Sequence, residues 1–326
     1  MHKNFHKLIK QFSQKNILVF GDCMLDEWLW GKVSRISPEA PVPVVEIFDR
    51  TYTPGGAANV VNNLVSLGGQ VTLAGLLGED EAGKLLRSEL KELGVNLAGL
   101  VIDPQRPTTT KIRIVAHTQQ VCRADREVKK KIDKTQAEKI LKVLEGKNSY
   151  NAVLLSDYGK GVLNGELLPT LIKKVKEKKV LLTAGPKPES LHLFKGVDLV
   201  SLNQKEAATY VGYPLTDGDA LCSAGEKILD DLGCRAVLIT RGEFGMSLFT
   251  TQGEIKHIPA IATEVYDVSG AGDTVIASLT LALACGADLP NAMELANYAA
   301  AVVVRKVGTA TLTPQELIAQ INDAKH

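Results

Sequence analysis

Short apolar, β-rich runs alternate with segments of helical periodicity along most of this chain, and that alternation constrains its fold more than any other feature. Strand, helix and strand in succession predict a mostly parallel sheet covered by helices. Asn16–Phe20 reads as a first buried strand. Ala57–Leu67 carries apolar residues at helical spacing and stops at Gly68-Gly69, after which Val71–Ala74 resumes as a strand. Glu79–Leu93 reads as a helix closed by Gly94. Further strands are predicted at Ala152–Leu155, Val180–Thr183, Leu199–Leu202 and Ala236–Thr240. Helices are predicted over Thr135–Leu144, Leu167–Lys178, Asp217–Leu232, Gly272–Ala284 and Leu289–Val304. Two stretches break the rhythm. Trp28–Tyr52, with Pro38, Pro41 and Pro43 and an alternating Val42–Ile47, has no helical pattern, and neither has Thr108–Arg123. Together they predict a small antiparallel sheet projecting from the main body, either a lid over a cleft or an edge hairpin.

At 326 residues, 45% of them hydrophobic, the chain can build one large α/β domain with an insertion, or two compact halves. The 38 basic residues balance 37 acidic ones, so no electrostatic footprint for nucleic acid or an anionic membrane exists. Any anionic ligand must be held by local features. The run Lys129-Lys130-Lys131 reads as a solvated turn. The five cysteines are scattered without a CxxC pair, which predicts neither a disulfide framework nor a zinc site but free thiols in a reducing compartment. The N-terminus lacks an apolar stretch of signal length and no window approaches a membrane span, so the expectation is a cytoplasmic protein.

The strongest chemical signal is Asp267–Thr274 (DVSGAGDT), followed directly by an apolar helical pattern. Gly270 and Gly272 let the backbone turn tightly and, with Ala271, leave N–H groups unshielded at a helix N-terminus, an anion hole suited to a phosphoryl group. Asp273 in the first turn can accept a proton from an attacking hydroxyl beside that anion; the bland alternative is that Asp273 and Thr274 merely cap the helix. Gly55-Gly56 and Asn59 open the helix to Leu67, where a ligand could approach closely and find a donor and an acceptor, or where the chain simply turns. Asp22 and Asp26 follow the first strand, and Asp157 and Lys160 follow another. Carboxylates at the C-terminal ends of parallel strands suit sugar hydroxyls, Lys160 suits a phosphate, and Asp22 could equally be a turn residue. Asn203-Gln204-Lys205-Glu206 begins a helix after a strand; Glu206 could hold Mg²⁺ through water, or the pair could form a helix cap. Thr240, Gly242 and Gly245 form a Gly-rich turn after the next strand. Gly78–Lys84 (GEDEAGK) matches the spacing of a P-loop, but Leu85 stands where Ser or Thr must bind the metal and three acidic residues would repel phosphate. It is not a P-loop. No HExxH, GxSxG or zinc-ligand cluster supports a hydrolase.

Taken together, GGAAN, GEDEAG, NQKE and DVSGAGDT, in that order, resemble the ribokinase-like (PfkB) carbohydrate kinase family over nearly the whole chain. Residues 21–46, 108–125 and 154–163 resemble the family's heptose 7-phosphate kinase branch. The resemblance implies a three-layer α/β/α sandwich with a mostly parallel central sheet and a small β-sheet lid. It implies one kinase domain over residues 1–326, with lid insertions near 28–52 and 108–125. It implies ATP and Mg²⁺ as cofactors, Asp273 as base, Gly270 to Gly272 as anion hole, and Asn203 to Glu206 beside the ATP phosphates. Thr240, Gly242, Gly245 and Asn297 resemble nucleotide-pocket positions, and Asp22, Asp26, Gly55, Gly56, Asn59 and Asp157 resemble sugar contacts. The implied reaction is phosphorylation of D-glycero-D-manno-heptose 7-phosphate at O1, in ADP-heptose synthesis for lipopolysaccharide. Arg35, Lys111, Arg113 and Arg123, in the lid segments, are candidates to clamp the second phosphate. A lid-mediated homodimer is expected, as is a stand-alone kinase, with a functional link to a separate adenylyltransferase left open. Two departures stand out: Val61 replaces a small residue, and Gly185 replaces an Asp before Pro186-Lys187. Another PfkB-type kinase, acting on a different sugar or a nucleoside, and a non-catalytic sugar-binding or scaffold subunit are the rival readings.

Overall fold

The computed structural model describes residues 2–117, 119–146, 149–261 and 264–324. Helix α1 (His2–Lys10) leads into β1 (Asn16–Gly21), after which the chain leaves as a long hairpin, β2 (Cys23–Ile36) and β3 (Pro43–Gly56). It returns through α2 (Ala57–Ser66), β4 (Gln70–Gly78), α3 (Glu81–Glu92) and β5 (Asn96–Asp103). A second excursion, β6 (Thr109–Ala116) and β7 (Gln119–Arg126), precedes α4 (Lys134–Leu141). Then come β8 (Ala152–Ser156), α5 (Leu168–Glu177), β9 (Leu181–Gly185), β10 (Leu199–Asn203), α6 (Gln204–Val211), α7 (Gly218–Leu232) and β11 (Ala236–Thr240). Strands β12 (Met246–Thr250) and β13 (Ile255–Ile258) precede the closing helices α8 (Ala271–Ala284), α9 (Leu289–Val303) and α10 (Pro314–Asp323).

Nine strands form one sheet in the order β13-β12-β11-β10-β9-β8-β1-β4-β5, parallel except at the β12 and β13 edge. The short turn from Arg241 to Gly245 allows only an antiparallel partner there. Alternation along each strand splits the core in two. Ile17, Val19, Leu154 and Leu238 face one layer, with α1, α2, α3, α8, α9 and α10. Leu18, Phe20, Val153, Leu155, Val237 and Ile239 face the other, with α4, α5, α6 and α7. This is the expected α/β/α sandwich. The strands are apolar on both faces, as a sheet covered on both sides requires.

The two irregular segments form a separate four-stranded sheet in the order β3-β2-β6-β7. It is mixed rather than antiparallel, because β2 and β6 pair in parallel from Met24↔Thr109 to Gly31↔Ala116. The reason lies in the main sheet: β2 leaves the end of β1 and β6 follows β5, and both strands therefore rise from the same edge. The hairpin is also longer than its alternating stretch. Cys23 and Leu25, buried at 4% and 1% exposure, already belong to it, pairing toward Gly56 and Pro54. Thr118, inside the second predicted lid segment, lies outside the described residues.

Candidate active site

On the side from which the lid rises, β1, β8 and β9 end level with one another, and β10 and β11 end together about two residues further on. Gly21 registers with Ser156, Ser156 with Gly185, and Asn203 with Thr240. Open α/β sheets place their ligand crevice beyond such carboxyl ends. Here the segments after β8, β9 and β10, together with the start of α8, wall a cleft of about 200 Å³.

Gly270 is the N-cap of α8, left-handed at φ 79°, and a Cβ there would lie 2.9 Å from the Asn59 amide nitrogen. Asp273 is the third residue of the helix. The N–H groups of Gly272 and Asp273 precede any intrahelical acceptor, and nothing lies within 4 Å of where a Gly272 side chain would begin. A helix start with free amides beside open space is suited to an anion. Both Asp273 oxygens are held: Asn59 Nδ2 donates to Oδ2 at 2.6 Å, and the Tyr158 hydroxyl donates to Oδ1. Burial raises the Asp273 pKa above the ordinary carboxylate range, against the opposing pull of the Tyr158 and Asn59 hydrogen bonds and the Lys187 charge. Behind it, Thr274 Oγ1 donates to Asn63 Oδ1 at 2.6 Å, locking α8 to α2.

Two carboxylates predicted as sugar contacts are occupied elsewhere. Asp22, 1% exposed, accepts the backbone N–H groups of Tyr158, Lys160 and Val162, each at 3.0 Å, and so fixes the loop after β8. Asp157 accepts from Gly159 N at 2.7 Å and from the Ser190 hydroxyl, tying that loop to the segment after β9. Burial raises the Asp157 pKa, Ser190 opposes it, and the Asp22 charge adds to the rise. Both carboxylates accept backbone or hydroxyl donors of the surrounding loops, Asp22 as a turn residue does, and Asp157 also lines the cleft. Asp26, on β2, accepts from Arg113 Nη1 at 2.9 Å. Gly55 lies against it, since a Cβ there would fall 2.6 Å from Asp26 Oδ2, and a Cβ on Gly56 would meet the Asp22 carbonyl at 2.5 Å.

After β10, Asn203 and Glu206 form the capping box the sequence left open: Asn203 Oδ1 accepts from Glu206 N and Glu206 Oε2 accepts from Asn203 N, both at 2.9 Å. Glu206 Oε1 accepts from Lys187 Nζ at 2.6 Å, and both residues line the cleft with Thr240. Gln204 points away, donating to the Leu215 carbonyl at 2.7 Å, and Lys205 is exposed. Gly242 and Gly245 shape the turn behind Thr240. A Cβ on Gly245 would sit 2.0 Å from the Ile258 carbonyl, which accounts for that glycine without a ligand. Asn297 is buried at 5% exposure and donates to the Pro259 carbonyl at 2.8 Å, so it braces the segment before α8. Gly185 lines the cleft with open space where a side chain would begin.

The lid cations divide sharply. Arg113 pairs with Asp26 and lies 4.7 Å from the Trp28 ring centroid. Arg123 pairs with Asp125 at 2.8 Å, and Lys160 with Glu127. Arg35 is far from the cleft, nine positions beyond Asp26 along β2, or about 30 Å at the usual strand rise. Among the described residues neither Lys111 nor Arg35 has a carboxylate at ion-pair distance, and of the two Lys111 is the one beside the cleft. It is half-buried, its Nζ 5.9 Å from the Tyr158 ring centroid, and burial holds its pKa below the usual lysine range. Sequence reasoning missed Tyr158 and Lys187. Both sit in segments flagged for a neighbouring residue, but a lone Tyr or Lys gives no signal until its partner is known. Among the described residues no group of three His, Cys, Asp or Glu side chains is placed to hold a metal, and no helix is long and apolar enough to cross a membrane.

Comparison with known proteins follows the same lines. The bifunctional protein HldE of Geobacter metallireducens is 45% identical over 317 residues, covering 97% of this chain but 65% of the relative. HldE of Desulfatibacillum aliphaticivorans is 46% identical over 98% of this chain and 66% of its own length. The chain thus spans under two thirds of these relatives. Their bifunctional names give no support to a separate adenylyltransferase partner. Among solved structures, ribokinase of Arabidopsis thaliana with ribose and ATP superposes with a TM-score of 0.75 at 21% identity, covering 94% of this chain and 98% of that one. Phosphofructokinase-2 of Escherichia coli with potassium gives 0.80 at 19% identity, covering 96% and 99%. These two share the fold. The family model for pfkB family carbohydrate kinases matches residues 14–316, and the chain belongs to that family.

Proposed function

We propose that this chain transfers the γ-phosphoryl group of ATP to O1 of D-glycero-D-manno-heptose 7-phosphate, giving the 1,7-bisphosphate for ADP-heptose synthesis. The observation that carries the reading is Asp273: a half-buried, doubly hydrogen-bonded carboxylate beside the free amides that open α8. In the reaction the sugar O1–H bond breaks and its proton passes to the Asp273 carboxylate. O1 forms a bond to the γ-phosphorus while the bond to the β,γ-bridging oxygen breaks and ADP leaves with that electron pair. Positioning and charge stabilisation dominate such a transfer. The Gly272 and Asp273 N–H groups receive charge on the migrating phosphoryl group, and Lys187 supplies a cation on the cleft wall. An anomeric hydroxyl is more acidic than an ordinary alcohol, so a carboxylate of modestly raised pKa suffices as base.

The cleft fits a nucleotide triphosphate by its helix-terminal amides, its cation and its unfilled space at Gly185 and Gly272. Mg²⁺ takes few protein oxygens, so one cleft carboxylate, Glu206 acting through water, matches its habits, and the ion would neutralise phosphate charge there. The heptose 7-phosphate assignment is supported by the lid segments' resemblance and by Lys111, a cation beside the site with no carboxylate at ion-pair distance among the described residues. Free thiols at all five cysteines fit a reducing cytoplasm. The lid edge, where Phe48 is 72% exposed, fits pairing of two copies.

A coupled ADP-release assay over a panel of heptose, heptose 7-phosphate, hexose phosphates and ribose tests the substrate. The expected result is turnover of heptose 7-phosphate far above that of unphosphorylated heptose. Equal rates for the two would remove the heptose-phosphate claim, and no turnover of any sugar would favour a binding subunit.

A further inference from the structure

A carboxylate that takes a proton must be ionised and aimed, and two side chains aim Asp273. Asn59, on α2, holds Oδ2; Tyr158, on the loop after β8, holds Oδ1. That loop has little freedom, because the buried Asp22 carboxylate accepts three of its N–H groups and Asp157 closes its far side. Two cations lie near the Tyr158 ring: Lys111 Nζ from the lid at 5.9 Å and Lys187 Nζ from the cleft wall at 5.3 Å from its centroid. One side chain therefore touches the lid, the cleft wall and the carboxylate at once.

We propose that Tyr158 is a positioning residue for phosphoryl transfer: its hydroxyl, holding Oδ1 while the Asn59 amide holds Oδ2, keeps the Asp273 carboxylate turned toward the sugar hydroxyl. The inference rests on reading Asp273 as the base. The groups around that carboxylate pull in both directions. Burial raises its pKa most, Tyr158, Asn59 and Lys187 lower it, and Asp26 raises it. The phenol itself stays protonated, since burial and then the Asp273 charge push its pKa well above the usual tyrosine value, with Asp26 and Glu206 adding to the rise. It is thus a donor throughout the neutral range. It also explains the three amides on Asp22: that carboxylate acts on the reaction by holding the loop that carries Tyr158.

Tyr158→Phe tests this, because it keeps the ring and both cation contacts and removes one oxygen. A hydrogen bond to a charged group is worth about 1.5–3 kcal/mol, so kcat should fall roughly 10- to 100-fold with the KM for ATP little changed. Asp273 must be ionised to act. Losing a donor that lowers its pKa moves the acid limb of kcat/KM to higher pH, so the variant's deficit should be larger at pH 6 than at pH 8. The unfolding midpoint gives a second readout. Asp273 binds its proton more tightly folded than unfolded, so it favours the fold at low pH and loses that contribution as pH rises through its folded pKa. In Tyr158→Phe that loss should move to higher pH. A variant matching wild type in kcat and acid limb, while Asp273→Asn is inactive, overturns the positioning role alone. Near-normal turnover by Asp273→Asn instead overturns the base, and leaves Tyr158 nothing to position.

Discussion

Lys111 differs from the other lid cations in what it lacks. Arg113, Arg123 and Lys160 each face a carboxylate, whereas Lys111 sits half-buried beside an aromatic ring with no carboxylate at ion-pair distance among the described residues and only the more distant Asp26 charge acting on it. A desolvated ammonium without a partner is costly unless an anion completes it. On the proposed function, the 7-phosphate of the substrate is that anion. Lys111→Ala should therefore raise the KM for heptose 7-phosphate about 10- to 100-fold, the worth of one charge-assisted hydrogen bond, while leaving the rate with unphosphorylated heptose unchanged. A KM within twofold of wild type would remove Lys111 from the subsite. The sequence offered Lys111 only as one of several equal candidates. What separates it from Arg123 and Lys160 is the position of Asp125 and Glu127, and nothing local to Lys111 announces those pairings. Asp22 and Asp157 teach the converse. A carboxylate after a parallel strand looks the same on paper whether it meets a ligand or three backbone amides.

At the scale of elements, the regular α/β units were legible because their core faces repeat at helical or strand spacing and end at glycine, as α2 does at Gly68. The short edge strands β12 and β13, and the terminal α1 and α10, were not. Strand β13 and helices α1 and α10 carry few buried positions, and β12, though buried throughout, is only five residues long and mixes Ser247 and Thr250 into its apolar run. The lid was visible as alternation without a helix, but its mixed pairing was not, since pairing direction follows from where β2 and β6 leave the main sheet. Its outer edges are β3 and β7, and Phe48 stands 72% exposed on β3. An exposed phenylalanine on a sheet edge invites a second copy. Burying one such side chain is worth about 1.5–3 kcal/mol, and twofold symmetry counts it twice. Phe48→Asp should accordingly weaken self-association by roughly 10²- to 10⁴-fold without lowering the unfolding midpoint, read by light scattering over a dilution series. A wild-type chain that scatters as a monomer at every concentration would dismiss the lid dimer.

Across the whole molecule, distant stretches of chain meet at one point. Asn59, Tyr158, Lys187, Glu206 and Asp273 come from α2, the loops after β8 and β9, α6 and α8, and each is delivered by an element whose other face is packed core. The sheet fixes the strand ends in register, the helices fix the amides and the base, and the lid supplies the remaining cation. On the proposed function, this arrangement gives the phosphoryl-transfer geometry to the rigid body and the reading of the sugar to a separate small sheet. The most direct test is the single-turnover and steady-state rate of Asp273→Asn with ATP and heptose 7-phosphate. The account predicts a fall in kcat of ~10²–10⁴, the usual worth of a positioned acid–base group, with ATP affinity retained. Turnover within a fewfold of wild type would contradict it.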